Sequence, residues 1–563
     1  MILENTNDNL KFGMTFSEGI SIFQENGDKN IFEKIITINT IEEDESLSQE
    51  DKSKLISVLN NNEYTSFQKR IMIMRTLDKE KEFSSQIGLI LRERLPKMEM
   101  VKKIMLVFRD HYIKKDVLKK EFGEVLTSVE TVKMMISEID KEFWTSPYNE
   151  DGSIKKVLET SNGSGVFLWM VIYKFMVGLQ VYFKDEDKRY KFIVENMIYA
   201  CELQKSKMFN WLCIADIYDE YDLNVYCGSF LEEGFDNHME DVWGLKLGDI
   251  SLVVSNPPYN GKVSSSGTSS DLYDKFIVKS MKISKMVLMI TPSRWFNKSD
   301  KKNLRDLMIN SGRLYSIRTD NDYFEELNIR GGVSYFLIND KNNDMVLFNG
   351  LENNLKLQYE KFGFIFTDQL KSKTVDNILS KISKYSKLST IFNSKSYFGL
   401  KTNHKFVLNE GTKCYFSGRQ KYTLNLILDE KNKYFSYVNK FNDGKLKLNR
   451  WKLITAAAYG FKTKTENTYN KIGETFISSP GEVCTETFIF FDLDSEFECL
   501  NLQKYLNTDF VKYLISLIKV KQDVTSKIFN IVPLLDLKIE WTDEKLFEYF
   551  NLSEEEQKLI LGK

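Results

Sequence analysis

Two consecutive prolines, Pro257 and Pro258, follow directly after an apolar run that has the composition of a buried strand. This run, residues 250–254, reads Ile-Ser-Leu-Val-Val. Proline lacks a backbone N–H and has a fixed φ, so a strand cannot continue through two prolines. The chain must therefore leave the sheet in a stiff turn at the carboxyl end of a strand. Open α/β sheets form their ligand crevice at that edge.

The residues around this turn alternate short β-type runs with helical stretches, from about residue 120 to residue 345. This alternation predicts an α/β, Rossmann-like domain with a mainly parallel sheet over residues 119–348. Residues 1–118 carry helical patterns, such as the Ser-initiated segment 47–60, and predict a helical N-terminal region. Residues 349–563 lose the alternation and predict an α+β region whose tail is a pair of short capped helices.

The composition limits the classes of protein to consider. Hydrophobic residues make up 42% of the 563 residues and charged residues 28%, which excludes a wholly disordered chain, a collagen-like chain and a small disulfide scaffold. The six cysteines are scattered and the three histidines are isolated, so we expect no metal site and a reducing, cytoplasmic location. We also expect no signal peptide and no membrane span, because neither pattern is present.

The charge is distributed unevenly. Residues 371–470 contain 20 Lys and Arg against 6 Asp and Glu, a net charge of +14, whereas residues 471–563 have a net charge of −7. Aromatic residues are interleaved with the basic ones. This combination predicts binding of a nucleic acid. The alternative is a lysine-rich surface that reflects a low-GC genome.

The turn after residue 254 places three groups that could contact a ligand within four residues. Asn256 offers a carboxamide, Pro257 a free backbone carbonyl and Tyr259 an aromatic ring. An exocyclic amine can be held by two acceptors, and a flat base can stack on the ring. The alternative is a rigid loop without chemistry.

A second segment has the pattern of a strand, a glycine turn and a helix start. Glu159 ends the β-type run, and Gly163 and Gly165 permit a close backbone approach and positive φ. A further β-type run ends at Glu202, whose carboxylate can accept the ribose hydroxyls of a nucleoside cofactor. The alternatives are an ordinary turn and a solvated strand end.

Together these segments resemble the S-adenosylmethionine-dependent DNA methyltransferases that modify amino groups. The N6-adenine members of that family carry Asn-Pro-Pro-Tyr or Asn-Pro-Pro-Phe, and this chain has Asn256-Pro257-Pro258-Tyr259. The resemblance covers residues 120–340. The order of the segments is similar to the gamma arrangement of TaqI-like restriction–modification enzymes.

The resemblance implies a set of site residues. The family's cofactor loop is usually Asp-Pro-x-x-Gly-x-Gly, so Glu159 and Thr160 depart from it. Ser229 stands where the family often has an Asp near the adenine amine. The implied catalytic residues are Asn256, Pro257, Pro258 and Tyr259. The implied cofactor-binding residues are Thr127 (in a segment similar to Phe-Gly-x-x-x-Thr-Pro), Glu159, Ser161, Gly163, Gly165, Glu202, Ser229, Phe230 and Asn256.

The resemblance also implies a function. We expect residues 119–348 to be a methyltransferase domain that transfers a methyl group from S-adenosylmethionine to the N6 amine of a flipped adenine in duplex DNA. Residues 371–470 would bind the DNA within a target-recognition domain over 349–563. We expect a bacterial or phage-encoded component of a restriction–modification or phage-defence system, with a cognate restriction endonuclease as a possible partner.

Two alternatives stay open. The first is a DNA-binding specificity subunit with a degenerate methyltransferase core, which the departures at Glu159, Thr160 and Ser229 favour. The second is methylation of RNA or of a protein amide.

Overall fold

The structure is a computed structural model that describes most of the chain. The described residues are 35–42, 47–77, 81–113, 127–263, 269–296, 299–319, 332–341, 343, 345–363, 365, 372–401, 411–415, 427–428, 434–441, 447–460, 471–519 and 522–562. They form two compact units. The first contains the described residues within Met1–Pro292, Ser311–Leu327 and Val333–Asn343, and the second those within Ser293–Asn310, Asn328–Gly332 and Asp344–Lys563. The three functional regions expected above stay a prediction.

The first unit begins with helices, as the sequence predicts. They are α1 (Ile38–Glu42), α2 (Gln49–Asn60), α3 (Ser66–Leu77), α4 (Lys81–Arg92), α5 (Lys97–Ile113), α6 (Val129–Ile136) and α7 (Lys141–Thr145). The hydroxyl of Ser48 accepts the Asp51 N–H at 3.1 Å and caps α2. This cap satisfies a donor that has no partner inside the helix, and it confirms the helix start predicted from residues 47–60.

The rest of the first unit alternates strands and helices. The strands are β1 (Val157–Glu159), β2 (Ile198–Cys201), β3 (Asn224–Tyr226), β4 (Ile250–Ser255), β5 (Asn260–Val263), β6 (Ser269–Asp271), β7 (Ser284–Pro292), β8 (Leu314–Thr319) and β9 (Val333–Ile338). The helices between them are α8 (Val166–Gly178), α9 (Glu186–Asn196), α10 (Lys205–Asp216), α11 (Glu233–Asn237) and α12 (Tyr273–Ile283). Strands β5 and β6 form a separate hairpin.

Seven strands of the first unit form one sheet in the order β8-β9-β7-β4-β1-β2-β3. The pairs β1–β2, β1–β4, β2–β3 and β4–β7 are parallel, and β9 is antiparallel to both of its neighbours. The predicted α/β fold with a mainly parallel sheet is confirmed. Every residue of β1, β2 and β4 is buried, which is typical of parallel strands covered by helices on both faces.

The strand order fixes where a ligand crevice forms. Strand β1 lies between β2 and β4, so the chain runs outward from β1 in opposite directions in the two halves of the sheet. The carboxyl edge beside β1 is thus the place where a ligand crevice is expected in a sheet of this order.

The second unit contains two small sheets and a helical tail. Its strands are β10 (Val346–Phe348), β11 (Leu351–Asn353), β12 (Phe392–Asn393), β13 (Thr412–Tyr415), β14 (Ile427–Leu428), β15 (Tyr434–Val438), β16 (Trp451–Ala456), β17 (Thr475–Ser478), β18 (Val483–Cys484) and β19 (Phe488–Leu493). Its helices are α13 (Lys302–Asn310), α14 (Leu355–Phe362), α15 (Ser372–Ile382), α16 (Glu496–Leu506), α17 (Asp509–Ser516), α18 (Asp543–Tyr549) and α19 (Glu554–Ile560). The four-stranded sheets have the orders β12-β19-β16-β17 and β14-β15-β13-β18.

The C-terminal pair of short capped helices is confirmed. Thr542 caps α18, and Ser553 caps α19 in a reciprocal capping box with Glu556. Much of the basic segment 371–470 lies outside the described residues. All six cysteines are buried and free. Within the described ranges, no helix is long and apolar enough to cross a membrane, and no group of His, Cys, Asp and Glu side chains could hold a metal ion.

Candidate active site

Four of the predicted segments end at the same edge of the sheet. Glu159 is the last residue of β1, and Glu202 and Asn256 directly follow β2 and β4. Ser229 is the third residue after β3. Because these four strands are parallel neighbours, their carboxyl ends lie side by side. The sheet therefore brings together residues that are up to 97 positions apart in the sequence.

The segment 159–165, which we call the glycine loop, is held to the end of β2. The N–H of Asn162 donates to the Cys201 carbonyl at 2.9 Å, and the N–H of Gly163 donates to Glu202 Oε2 at 2.6 Å. Gly163 and Gly165 have φ values of 54° and 87°, which glycine adopts without strain. A Cβ at Gly163 would meet only one backbone atom within 4 Å. The loop therefore leaves space for a close approach by a ligand.

The two carboxylates of the site have different environments. Glu202 Oε1 accepts the Gln204 N–H at 2.8 Å, so backbone donors hold both of its oxygens. Burial raises the pKa of Glu159 well above its ordinary value, and nearby Glu202 adds to this rise. Hydrogen bonds from Ser255 and from the backbone N–H of Ser161 partly offset it. A cation bound next to Glu159 would favour its charged form.

Asn256 is fixed at two points. Its Nδ2 donates to Thr127 Oγ1 at 2.9 Å, and its backbone carbonyl accepts the Ser161 hydroxyl at 3.1 Å. Thr127 lies 129 residues before Asn256, so the structure brings this predicted residue to the turn. The rest of the similar segment, residues 122–126, lies outside the described residues.

Two hydroxyl residues at this edge did not emerge from the sequence as site residues. Thr160 Oγ1 donates to Ser255 Oγ at 2.8 Å, and Ser161 Oγ lies 3.1 Å from the same Ser255 oxygen. Glu159 is paired with Val254 in the sheet, so Thr160 and Ser255 are the next residues of two adjacent strands. A prediction that β1 and β4 are neighbours would have placed these two hydroxyls together.

The aromatic residue of the turn has a half-buried ring. The Tyr259 carbonyl accepts the Leu272 N–H at 3.0 Å, which fixes the backbone after the prolines. Its phenol oxygen is buried and has no hydrogen-bond partner among the described residues, and burial raises its pKa. Pro257 is buried and Pro258 is exposed. The ring, rather than the hydroxyl, is the part of Tyr259 that is suited to contact a ligand.

The segment after β3 is ordered by a carboxylate that sequence reasoning missed. Glu232 Oε1 accepts the Ser229 N–H at 3.0 Å and the Tyr226 hydroxyl at 2.6 Å. A Cβ at Gly228 would lie 2.5 Å from that oxygen, so a larger residue there would have to displace the Glu232 carboxylate. The ring of Phe230 is buried and packs on Phe276 at a centroid distance of 5.3 Å.

Two further residues beside the site are unusual in their burial. Leu203, directly after Glu202, is 55% exposed, although leucine is a residue of protein interiors. The carboxamide of Asn162 in the glycine loop is buried, and neither of its polar atoms has a hydrogen-bond partner within the described residues. An exposed apolar side chain and a buried amide without partners suit a ligand that has apolar and polar parts.

Substitution of Gly165 tests the role of the loop conformation. Gly165→Ala should lower the free energy of unfolding by about 1–2 kcal/mol, because a φ of 87° is strained for alanine. Gly152→Ala is the matched control, since Gly152 has a φ of 81° and lies outside the site. Both variants should unfold at lower temperature, but only Gly165→Ala should weaken cofactor binding measured by calorimetry. Equal affinities in the two variants would contradict a ligand-binding role for this loop.

Comparison with known proteins gives one family match. Residues 186–324 match the family described as Eco57I restriction-modification methylase. This segment contains Glu202, Ser229 and the turn 256–259, whereas the glycine loop lies before it. No curated protein matches the chain. That part of the chain is therefore similar to restriction–modification methylases.

Solved structures that are similar to this chain at low sequence identity include the following three. The type ISP restriction–modification enzyme LlaGI, as a nuclease-deletion mutant with a DNA substrate mimic, is 12% identical (93% of this chain, 67% of that chain, TM-score 0.41). The type IIL enzyme MmeI in complex with DNA is 10% identical (78% and 71%, TM-score 0.41). A protein of Listeria monocytogenes, provisionally described as a class I S-adenosylmethionine-dependent methyltransferase, is 13% identical (60% and 99%, TM-score 0.33).

Proposed function

We propose that this protein is a site-specific DNA methyltransferase that transfers a methyl group from S-adenosylmethionine to the N6 amine of adenine. The observation that carries the proposal is the turn 256–259, which sits at the carboxyl edge of a parallel sheet and is hydrogen-bonded to Thr127 and Ser161. The family match over residues 186–324 supports the same conclusion. The activity belongs to the first unit, which contains all of these residues.

The site fits a nucleoside cofactor with a cationic end. Glu202 supplies a carboxylate at the end of β2, ordered by the N–H groups of Gly163 and Gln204, and a carboxylate is an acceptor suited to ribose hydroxyls. Gly163 offers open space beside it, and Leu203 offers an apolar surface. Glu159 supplies a buried carboxyl close to the glycine loop. When bound there, S-adenosylmethionine would supply a methyl group on a sulfonium, which becomes a thioether after transfer.

The residues of the turn would orient the target amine. Asn256 Oδ1 and the Pro257 carbonyl would each accept a hydrogen bond from the amine, which leaves the nitrogen lone pair free to form the new bond to carbon. The proton that the nitrogen loses passes to solvent after transfer, so the chain needs no general base before it. Positioning and electrostatics would then supply most of the rate enhancement.

The adenine must leave the duplex to reach this turn. Base flipping costs a few kcal/mol of stacking and pairing. The Tyr259 ring would offset part of the cost by stacking on the flipped base. The basic segment 371–470 would contribute phosphate contacts, which position the protein on DNA and make its affinity dependent on salt. We propose a restriction–modification or phage-defence role in a bacterial or phage setting, with a cognate endonuclease as partner.

The test is transfer of labelled methyl from S-adenosylmethionine to unmethylated genomic DNA, followed by nucleoside analysis and modified-base sequencing. The expected product is N6-methyladenine in one short sequence motif. Cofactor binding without transfer to DNA would contradict the proposal and favour an RNA or protein amide substrate, or a missing specificity subunit. Absence of cofactor binding would favour a degenerate core that only binds DNA.

Two substitutions of Tyr259 distinguish the contribution of its ring from that of its hydroxyl. Tyr259→Phe should retain the transfer rate within about threefold, because its phenol oxygen makes no hydrogen bond with a described residue and stacking needs only the ring. Tyr259→Ala should lower the rate by about 10- to 100-fold through loss of stacking. Single-turnover methyl transfer to a duplex with one target site measures both. A large loss in the Phe variant would show that the hydroxyl, rather than the ring, is needed.

A further inference from the structure

The hydroxyls of Thr160, Ser161 and Ser255 form a hydrogen-bonded group that we call the hydroxyl cluster. Ser255 is fully buried and Thr160 nearly so, whereas Ser161 is half-buried and belongs to the glycine loop. Ser161 is the member that reaches the turn, because its Oγ contacts both Ser255 Oγ and the Asn256 carbonyl at 3.1 Å. The transfer step described above makes no use of these hydroxyls.

We infer that Ser161 is a positioning residue for the target amine, acting through the Asn256–Pro257 peptide. The inference rests on the proposed function for its catalytic consequence. The Ser161 hydroxyl holds the Asn256 carbonyl, and this carbonyl lies in the same peptide plane as the nitrogen of Pro257. Proline fixes its own φ, and the following Pro258 restricts the ψ of Pro257 to extended values, so holding this plane largely determines where the Pro257 carbonyl points.

The two acceptors for the amine are therefore held independently. Thr127 fixes the carboxamide of Asn256 by accepting from its Nδ2 at 2.9 Å, so the Oδ1 atom faces away from Thr127. Ser161 fixes the peptide that leads to the second acceptor. Two acceptors from one turn are useful only if their separation is constant, since a displacement of about 1 Å can cost about a hundredfold in rate.

Ser161 also connects the turn to the glycine loop. Its backbone N–H donates to Glu159 Oε1 at 3.2 Å, while its side chain donates to the turn. The same residue is thus anchored to the end of β1 and to the residue that follows β4. A shift of the glycine loop would therefore also move the Asn256 carbonyl.

The chain offers a matched control outside the site. Ser137 is exposed, and its hydroxyl donates to the Met134 carbonyl at 2.6 Å, so Ser137→Ala removes a comparable hydroxyl-to-carbonyl bond without removing the contact to Asn256. Ser161→Ala removes the contact, and Ser161→Thr keeps the hydroxyl. All three variants are made in the full chain, and their folding is compared by thermal unfolding.

Two measurements test the inference. Single-turnover transfer at saturating cofactor and DNA should be about 10- to 100-fold slower in Ser161→Ala, with the dissociation constant for S-adenosylmethionine changed less than about threefold. Ser161→Thr should recover the rate, and Ser137→Ala should match the unsubstituted protein. Hydrogen exchange of the backbone amides in 259–263 should be faster in Ser161→Ala alone.

The outcomes separate this inference from the proposed function. Unchanged hydrogen exchange and an unchanged transfer rate in Ser161→Ala would overturn the positioning role. A rate loss matched by an equal loss of cofactor affinity would also overturn it, because Ser161 would then act only as a binding residue. If the unsubstituted protein transfers no methyl group, the proposed function fails, while hydrogen exchange still decides whether Ser161 holds the turn.

Discussion

Replacement of Asn256 by alanine is expected to lower the rate of methyl transfer by about 100- to 1000-fold, the range found when one oriented hydrogen-bonding group of an active site is removed. The variant loses Oδ1, which is the acceptor proposed for the amine, and the bond to Thr127 that orients the carboxamide. Because the backbone carbonyl of residue 256 is retained, Ser161 keeps its contact with the turn. Affinity for S-adenosylmethionine should therefore stay within about threefold of the unsubstituted protein.

The experiment combines single-turnover methyl transfer with calorimetric titration of the cofactor. Asn237→Ala is the control, because Asn237 is an exposed asparagine at the end of α11 in the same unit. It should change neither quantity. If Asn256→Ala lost cofactor affinity and rate in equal measure, the turn would be a structural support for the cofactor site rather than the holder of the amine.

Replacement of Glu202 by alanine is expected to weaken cofactor binding by about 100-fold or more, equivalent to about 2.7 kcal/mol. The carboxylate has two functions that alanine cannot replace. It accepts the N–H groups of Gly163 and Gln204 at 2.6 and 2.8 Å, and it is the acceptor proposed for the ribose hydroxyls. Hydrogen bonds to charged groups contribute about 1.5–3 kcal/mol each, so the loss of even one accounts for the expected effect.

Calorimetric titration with S-adenosylmethionine measures this effect directly. Glu202→Gln keeps one acceptor oxygen and should give an intermediate affinity. Glu240→Ala removes an exposed carboxylate of the same unit and should leave the affinity unchanged. If Glu202→Ala bound S-adenosylmethionine within threefold of the unsubstituted protein, the cofactor would bind elsewhere. The open space at the glycine loop would then need another explanation.

Local sequence signals predicted the elements that carry the site. Two prolines marked the end of β4, because their lack of N–H groups excludes any longer strand. The glycine loop was recognisable because Gly163 and Gly165 adopt φ values that other residues avoid. Ser48 and Ser553 indicated where two helices begin, because their hydroxyls accept hydrogen bonds from N–H groups that have no partner inside the helix.

Contacts between distant segments were not predictable in the same way. The hydrogen bond between Thr127 and Asn256 joins residues 129 positions apart in the sequence. The spacing of apolar and polar residues does not indicate such a distant pair. Glu232 was not singled out from the sequence, although its carboxylate orders the loop at Ser229. The antiparallel direction of β9 could not be predicted either. A strand that is buried on both faces has a continuous apolar run whichever way it lies in the sheet.

The path of the chain between the two units limits how parts of this protein can be exchanged with those of other proteins. Residues Ser293–Asn310 belong to the second unit, although the chain before and after them belongs to the first. Within the second unit, the Phe296 carbonyl accepts the Ile365 N–H at 3.0 Å, and Asp306 accepts the Tyr359 hydroxyl.

Suppose that only the chain after residue 348 is transplanted into another protein. The partners Phe296 and Asp306 would then stay in the original protein. The transplanted segment would lose the Phe296 carbonyl that accepts the Ile365 N–H and the Asp306 carboxylate that accepts the Tyr359 hydroxyl. Exchange of the second unit as a whole therefore requires an additional junction on each side of residues 293–310. In an evolving lineage, recombination at a single point would break the second unit, so this part of the chain should diverge by point substitution rather than by wholesale replacement.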